Sequence, residues 1–381
     1  MRRIGWLSRG ALIAIAISLA GCSAFGDSRP APAPLPATVG NAPIKRIAPI
    51  WSSAVGKASG VGFAPVSIGD AVWAATSDGT VVKLSIDTGQ ILWRTQLGRT
   101  LTAGVGTDGS TVVVVTREGT LIALDEQGRS RWTSALAGEV VTPPAVGDGL
   151  VLVRTTDNRV LVFDAETGKS RWNFSRQNPP LVLRHSGGVA MIPGVAFVGM
   201  PGGRMLALSL QNGAPRWDVP FAQPRGTTEL ERIADVVGSP LVFGREVCAV
   251  SYQGRIGCLD RASGAASWLK EFSSAVGLDV DARGVVAPDD KDGVYAFDRG
   301  GEPQWQNRSF ARRRLSAPLI VGNAVALGDL EGNILWLGRT DGRLQALSRT
   351  DGRPIVAPPV SVGDVLVVQT SGGGVFAFKA P

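Results

Sequence analysis

The sequence predicts an all-β protein, an eight-bladed β-propeller of four-stranded antiparallel blades, with the ring closed by an N-terminal strand that completes the last blade. Two observations predict this fold. The 381 residues include 49 Gly, with 44% hydrophobic and 19% charged residues, a balance typical of many short strands joined by tight turns. A unit of strand, turn, strand, turn and a strand carrying Trp also returns about every 40 residues, the length of one propeller blade.

The first copy of this unit runs from Phe63 to Trp93, with turns at Asp78-Gly79 and Thr88-Gly89. Asp-Gly turns supply the positive φ that two-residue hairpins need. A single copy cannot bury its faces alone, so we expect one continuous domain over residues 44–381. The first turns of the eight copies stand at positions 79, 119, 158, 203, 254, 293, 332 and 373.

The eighth copy ends after its third strand, because the chain stops at Pro381. The segment Ile50–Gly56 has the form of Leu92–Gly98, which is a fourth strand in the first copy. We therefore expect the N-terminal segment to complete the eighth blade, which would leave the ring without an open edge.

Tryptophan recurs at one position of the unit. An exposed Trp can stack on sugars or quinones, but a fixed position in every blade favours packing between blades. The seventh copy has Ala346 near this position. The packing prediction concerns Trp51, Trp93, Trp132, Trp172, Trp217, Trp268 and Trp305.

Residues 1–21 predict an export signal, with three arginines before an apolar run from Ala11 to Ala20. The following Leu19-Ala-Gly-Cys22 resembles the bacterial lipobox, which implies cleavage before Cys22 and acylation of this residue; an ordinary signal peptide is the alternative. Ser23, where an Asp would retain the protein in the inner membrane, implies the outer membrane. The Pro- and Ala-rich residues 22–43 predict an extended tether and no folded element.

Composition and motifs argue against most catalytic chemistry. The chain has one His, His185, which we expect at the surface, and it lacks His-Glu-x-x-His, Cys-x-x-Cys and Gly-x-Ser-x-Gly motifs. Gly104–Gly109 matches a dinucleotide fingerprint but leads into a predicted strand, where a helix is needed. Arg312–Arg314 predicts a solvated loop, with anionic lipid or an acidic partner as the alternative. After residue 21, the chain has 36 Lys and Arg and 32 Asp and Glu. This small excess of positive charge does not indicate nucleic-acid binding.

Cys248 and Cys258 flank a predicted hairpin turn at Tyr252-Gln-Gly254. They would face each other across a three-residue loop, and an exported protein favours oxidation to a structural disulfide. Two buried free thiols are the alternative.

The blade pattern, as in Asp87–Trp93, resembles the repeat of pyrroloquinoline-quinone enzymes. The lipobox, the length and two loop sequences, Pro180–Ser186 and Gly226–Val236, resemble more closely the BamB family of lipoproteins of the outer-membrane β-barrel assembly machinery. This resemblance implies docking of both loops onto the POTRA domains of BamA. Val237 replaces a second acid of the family. The positions that match the family's docking residues are Leu181, Leu183, Arg184 and Asp235.

The repeat lengths point to the same surface. The two longest intervals, 45 and 51 residues, arise after Trp172 and Trp217, in the same type of connection of adjacent blades. We therefore expect the two loops to lie side by side on one face, where insertions of repeat proteins tend to bind partners. Arg184 would be the centre of this surface and Asp235 a rim charge of smaller effect, while two long loops without a partner are the alternative.

The resemblance implies a non-enzymatic scaffold on the periplasmic face of the outer membrane, held by a lipid anchor and requiring no cofactor or metal. It implies BamA, the other Bam lipoproteins and unfolded outer-membrane proteins as partners. A pyrroloquinoline-quinone-dependent dehydrogenase is one alternative, although its vicinal Cys pair and calcium-binding acids are not recognisable. A periplasmic propeller that binds sugar or peptidoglycan is the other.

Overall fold

Short strands separated by glycine turns form eight blade sheets and one two-stranded sheet in the computed structural model, which describes residues 30–39, 42–57, 62–177, 179–184 and 187–381. Four N-terminal strands come first: β1 (Thr38–Val39), β2 (Ala42–Pro43), β3 (Lys45–Ile47) and β4 (Trp51–Ala54). Within the described ranges, no helix is long and apolar enough to cross a bilayer. The predicted eight-bladed, all-β fold is confirmed.

The first four blades each take four consecutive strands. Blade 1 contains β5 (Val66–Ile68), β6 (Ala71–Ala75), β7 (Thr80–Ser85) and β8 (Ile91–Gln96). Blade 2 contains β9 (Leu101–Thr107), β10 (Val112–Thr116), β11 (Thr120–Leu124) and β12 (Ser130–Ala135). Blade 3 contains β13 (Ala145–Gly147), β14 (Leu150–Arg154), β15 (Val160–Asp164) and β16 (Ser170–Phe174), and blade 4 contains β17 (Val189–Ile192), β18 (Val195–Met200), β19 (Arg204–Ser209) and β20 (Pro215–Pro220).

The last four blades continue this order. Blade 5 contains β21 (Val236–Phe243), β22 (Glu246–Ser251), β23 (Gly254–Asp260) and β24 (Ala266–Phe272). Blade 6 contains β25 (Asp279–Asp281), β26 (Gly284–Pro288), β27 (Val294–Phe297) and β28 (Pro303–Asn307). Blade 7 contains β29 (Leu319–Val321), β30 (Ala324–Gly328), β31 (Asn333–Gly338) and β32 (Leu344–Arg349), and blade 8 contains β33 (Val360–Val362), β34 (Val365–Gln369), β35 (Gly374–Lys379) and the N-terminal β4.

The core lies between neighbouring blades. The second strands are apolar and buried along their length, as in β6 and β10, whereas the outer strand β8 alternates between half-buried and exposed residues. This arrangement leaves each blade with two apolar faces, and one cluster of buried side chains fills each of the eight junctions among the described residues. No blade could bury its faces alone.

The ring closes as predicted. Strand β4 pairs antiparallel with β35, with Trp51 opposite Ala377 and Ala54 opposite Gly374. Val55 extends the pairing by donating its N–H to the carbonyl oxygen of Gly373 at 2.9 Å. The two ends of the propeller are thereby joined within one sheet, and blade 8 has its four strands.

The recurring Trp residues pack between blades, which confirms the packing interpretation. Each lies on a turn glycine of the next blade, where a Cβ would come within 3 Å of the indole. Six of the seven indoles also donate Nε1–H to a carbonyl oxygen of that blade, as Trp93 does to Glu126 at 2.9 Å. The pairs are Trp51 with Gly89, Trp93 with Gly128, Trp132 with Gly168, Trp172 with Gly213, Trp217 with Gly264, Trp268 with Gly301, and Trp305 with Gly342.

Blade 7 is the exception, because Ala346 occupies the Trp position. Here β3 adds a fifth strand to the sheet and runs parallel to β32, with Lys45 opposite Ala346. Ile47 packs against the cluster between blades 7 and 8. The blade that lacks the Trp is thus the one whose outer edge is covered by a strand from the N-terminal segment.

The expectation of a tether without folded structure is wrong for its described part. Residues from Pro30 onward lie against blade 7, where Ala33 donates its N–H to the carbonyl oxygen of Ala311 at 2.9 Å. Arg313 is buried and donates to the carbonyl oxygen of Ala33 at 2.6 Å and to Asp329 at 2.8 Å. The prediction of a solvated Arg312–Arg314 loop is therefore also wrong, because Arg313 is buried and holds the N-terminal segment through hydrogen bonds.

Candidate functional site

The two longest connections between blades lie side by side, as predicted. One joins β16 to β17 and the other joins β20 to β21, so both leave the same end of their blades. The N–H of Leu183 in the first loop donates to Oδ2 of Asp235 in the second at 2.6 Å. A cleft of about 460 Å³ lies between them and is lined by residues that include Arg176, Pro179, Arg204, Pro224 and Arg232.

The loop surface presents two exposed leucines and one exposed arginine. Leu181 is 42% exposed in the first loop, and Leu230 is 64% exposed in the second. The Arg184 side chain is 65% exposed and forms an ion pair with Glu139 at 2.6 Å. Isolated apolar residues at a surface are ordinary, but two exposed leucines and an exposed guanidinium on two adjoining loops fit the composition of an interface hot spot.

Leu183 has a different environment from Leu181. It is half-buried and packs against the apolar cluster between blades 5 and 6. Its main chain is also held by Asp235. We conclude that Leu183 fixes the course of the first loop, while Leu181 and Arg184 present their side chains to solvent.

Asp235 is not a rim charge, because it is only 1% exposed. Its Oδ1 accepts the N–H of Gly202 at 3.0 Å, while Oδ2 accepts the N–H of Leu183. Burial raises the pKa of Asp235, and these two hydrogen bonds and the charge of Arg154 act against this rise. The carboxylate therefore joins both loops to a turn of blade 4 and acts on the surface through Leu183.

Arg154 lies beneath the loops and is itself buried. Its guanidinium donates to the carbonyl oxygen of Gly187 and to the side chain of Asn158. Burial lowers the pKa of Arg154 to about 10, and the charge of Asp235 opposes this shift. Gly187 has a φ of +44°, and a Cβ there would come within 2.7 Å of Arg154 Nη1, so the close approach requires glycine.

Leu230 is not among the residues predicted from the sequence, because it does not match one of the family's docking positions. It follows Thr227-Thr-Glu in a run of polar residues, and an apolar residue in such a run is a usable signal. Glu231 Oε2 accepts the N–H groups of Thr227 at 2.9 Å and Thr228 at 3.0 Å. These bonds lower the pKa of Glu231 and stabilise a tight turn that directs Leu230 outward.

Val237 is 3% exposed and belongs to the apolar cluster between blades 5 and 6. Its side chain contacts the core and cannot contribute to the loop surface. The replacement of the family's second acid by valine therefore strengthens the core at this position. Asp235 is therefore the one of these two family positions that carries an acid in this chain.

The remaining predicted positions lie away from the two loops or outside the described residues. Cys248 and Cys258 face each other on β22 and β23, as the hairpin predicts, and are joined by a disulfide. Both are fully buried, so the bridge is part of the core of blade 5. Cys22 and His185 lie outside the described residues, and their expected roles stay predictions.

The central channel differs chemically from a quinone site. It has a volume of about 440 Å³, and its described lining consists of Gly, Ala, Val, Pro and a few other uncharged residues, such as Gly188, Ala275 and Pro358. Calcium needs oxygen ligands, usually from carboxylates, and a quinone carboxylate needs cationic partners. The residues of this channel do not fit a calcium-bound pyrroloquinoline quinone.

Comparison with known proteins gives a consistent result. The family model described as outer membrane protein assembly factor BamB matches residues 77–307. The protein of that name from Burkholderia pseudomallei is 41% identical over 371 residues, which cover 97% of this chain and 97% of that protein. The crystal structure of BamB from Moraxella catarrhalis, at 27% identity, superposes with a TM-score of 0.80 and covers 87% of this chain and 99% of that one.

A more distant neighbour shares the fold alone. The quinohemoprotein alcohol dehydrogenase of Comamonas testosteroni is 15% identical, with a TM-score of 0.67 over 86% of this chain and 76% of that one. Fold similarity of this kind carries no information about activity.

Proposed function

The chain belongs to the family of outer membrane protein assembly factor BamB, and on this premise we propose that it is a non-enzymatic scaffold of the outer-membrane β-barrel assembly complex. It assists the folding and insertion of outer-membrane proteins by holding other components in place. Support comes from the channel, whose described lining is uncharged and lacks the groups that quinone chemistry needs, and from an exposed loop surface built on the propeller.

The loop surface binds the POTRA domains of BamA. The observation that carries this proposal is the exposure of Leu181, Leu230 and Arg184 on the two adjoining loops. The leucines offer apolar area, and the planar guanidinium offers several donors to a partner carboxylate or to main-chain carbonyls. Asp235 and Arg154 preorganise both loops, which reduces the entropy lost on binding.

An acylated Cys22 anchors the chain in the outer membrane, with the propeller on the periplasmic side. Residues 1–21 are the export signal, residues 22–43 connect the anchor, and residues 44–381 form the propeller. Two membrane-binding groups, such as two acyl chains, suffice for stable anchoring, and a lipidated cysteine carries up to three acyl chains. We expect Cys22→Ser to abolish acylation, which mass spectrometry of the protein from membranes would detect; an acylated variant would contradict the lipobox assignment.

Unfolded outer-membrane proteins and the other Bam lipoproteins complete the set of partners. The outer strands of most blades expose alternate residues and a free edge, as in β8 and β12. Such edges accept an added strand through main-chain hydrogen bonds. A client strand held there would be kept from aggregation while the barrel assembles.

A binding experiment on the purified chain tests this function. The mature chain is mixed with the POTRA domains of BamA and analysed by size exclusion, and a second sample is given pyrroloquinoline quinone, calcium, an alcohol and a redox dye. We expect a stable complex in the first sample and no dye reduction above buffer in the second. Quinone-dependent dye reduction without a complex would establish the dehydrogenase alternative.

A further inference from the structure

The N-terminal segment approaches blade 7 among unpaired positive charges. Arg46 and Arg349 line a cleft of about 610 Å³ together with Ala31, Pro34 and Leu35 of the docked segment. Arg312 donates from Nε to the carbonyl oxygen of Ala31 at 2.8 Å. We call Arg46, Arg312 and Arg349 the blade 7 basic patch.

The charge of this patch is not neutralised by its surroundings. All three arginines are exposed, and among the described residues none forms an ion pair. Glu331 is the acid among the described residues that line the cleft, and it is paired with the buried Arg313. Lys45 and Arg353 are also exposed, and Asp351 is an exposed acid on the same loop as Arg353. The patch therefore presents a net positive surface.

The position of the segment is fixed by buried contacts. Arg313 is 2% exposed and is held by the fully buried Asp329 while it supports Ala33. Leu35 packs against the cluster between blades 6 and 7. The first described residue, Pro30, therefore lies next to the patch, and Cys22 stands eight positions before it in the sequence.

We infer that the blade 7 basic patch binds the anionic phospholipid headgroups of the bilayer that carries the anchor. Eight extended residues span at most about 28 Å, so an acylated Cys22 keeps the bilayer within this distance of the patch. This step rests on the anchor proposed above. The occupant is a lipid surface because the anchor holds that surface permanently within reach of the patch.

The interaction needs little intrinsic strength. A basic residue near an anionic membrane contributes about a fivefold increase in binding. An anchor on a short linker raises the effective concentration of headgroups to the millimolar range or above. The patch lies three blades around the ring from the loop surface, so lipid and a loop partner can be bound together.

The test uses the chain from residue 22 to 381 with Cys22→Ser, so acylation plays no part. Co-sedimentation is measured with vesicles of phosphatidylcholine that contain 30% phosphatidylglycerol and with vesicles of phosphatidylcholine alone. We expect binding only to the anionic vesicles, falling steeply between 50 and 300 mM salt. Arg46→Gln with Arg349→Gln removes two of the three patch charges and should weaken binding to the anionic vesicles at least tenfold. The docked segment should stay in place, because neither side chain belongs to the contacts that dock it.

The matched control is Arg99→Gln with Arg117→Gln, two exposed arginines of blade 2 that change the net charge equally. This control should bind within about twofold of the parent. Equal loss in the control, equal binding to neutral vesicles, or no binding to anionic vesicles would overturn the inference. So would binding to polyglutamate in place of lipid, which would indicate an acidic protein partner. Absence of acylation at Cys22 in cells would contradict the anchor and leave this vesicle result unaffected.

Discussion

Asp235 shows how a buried carboxylate can shape an exposed surface. Its two oxygens accept main-chain N–H groups from Leu183 and Gly202, and it faces the buried Arg154. No part of this arrangement is visible in sequence, where an acid in a polar loop reads as solvated. Asp235 therefore acts on the loop surface by positioning the first loop and not by contact with a partner.

We therefore expect Asp235→Ala to reduce both stability and partner binding. The substitution leaves two N–H groups without their acceptor and removes the negative charge that favours the buried Arg154, which costs about 2–4 kcal/mol in the free energy of unfolding. Urea unfolding monitored by Trp fluorescence measures this loss, and titration with the POTRA domains measures the second effect. Asp235→Asn, which retains one acceptor oxygen, should lose less. Unchanged stability in the alanine variant would restore the rim-charge interpretation.

Asp279 offers a test of electrostatics away from the loop surface. Burial raises its pKa to about 6, although its oxygens accept the N–H groups of Ile320 and Val280 at 2.6 and 2.8 Å. The pKa of an aspartate in the unfolded chain is near 3.8, so Asp279 holds its proton more tightly in the folded state. Its contribution to stability is full below pH 3.8 and is lost as the pH rises towards and through 6.

Asp279→Asn should remove this dependence. Between pH 4 and 7 the parent's free energy of unfolding carries a falling contribution from Asp279, and the difference between variant and parent should grow in favour of the variant over that window. Denaturant titrations at pH 4.5, 5.5 and 7 measure the difference. A difference that does not change with pH would contradict a raised pKa at Asp279.

At the scale of elements, the closure of the ring depends on β4. It supplies the fourth strand of blade 8 and brings Trp51 onto Gly89 of blade 1. Deletion of residues 44–56 also removes β3 and exposes the edges of β32 and β35. Loss of one buried Trp typically costs about 3–5 kcal/mol, so the deletion should lower the melting temperature by more than about 5 °C and promote aggregation.

The control for this deletion is Ile50→Ala, a change in the same segment at a side chain that is half exposed. It keeps the main-chain bond from Ile50 to Ala377 and should melt like the parent. A deletion variant with the parent's melting temperature and solubility would mean that closure by β4 contributes nothing to the fold.

Elements that repeat were predictable, and elements that depend on one distant pairing were not. Three local patterns recur along the chain: the period of about 40 residues, the Trp positions and the form of Ile50–Gly56. Each copy therefore supports the prediction made for the others. Arg313 has no such support, since its partners Ala33 and Asp329 lie 280 and 16 residues away. The exposure of Leu230 likewise depends on a turn held by Glu231, which the family pattern did not indicate.

At the scale of the whole molecule, the propeller separates stability from recognition. The eight junctions are filled by buried apolar clusters and Trp–Gly contacts, while the loop surface and the blade 7 basic patch lie outside this repeating core. Side chains such as Leu181 and Arg184 can therefore change without loss of the fold. Leu183 cannot serve in such a test, because it also packs against the core.

The most direct test of the central claim is the affinity of the loop surface for the POTRA domains of BamA. The variant carries Leu181→Ala, Arg184→Ala and Leu230→Ala, and the control carries Leu92→Ala, a leucine that is 53% exposed on the outer strand of blade 1. Removal of interface anchors costs about 2 kcal/mol or more, so we predict at least a thirtyfold higher Kd for the variant, with the parent's melting temperature and an unchanged control. Parental affinity in the folded variant would contradict the claim that these two loops bind BamA.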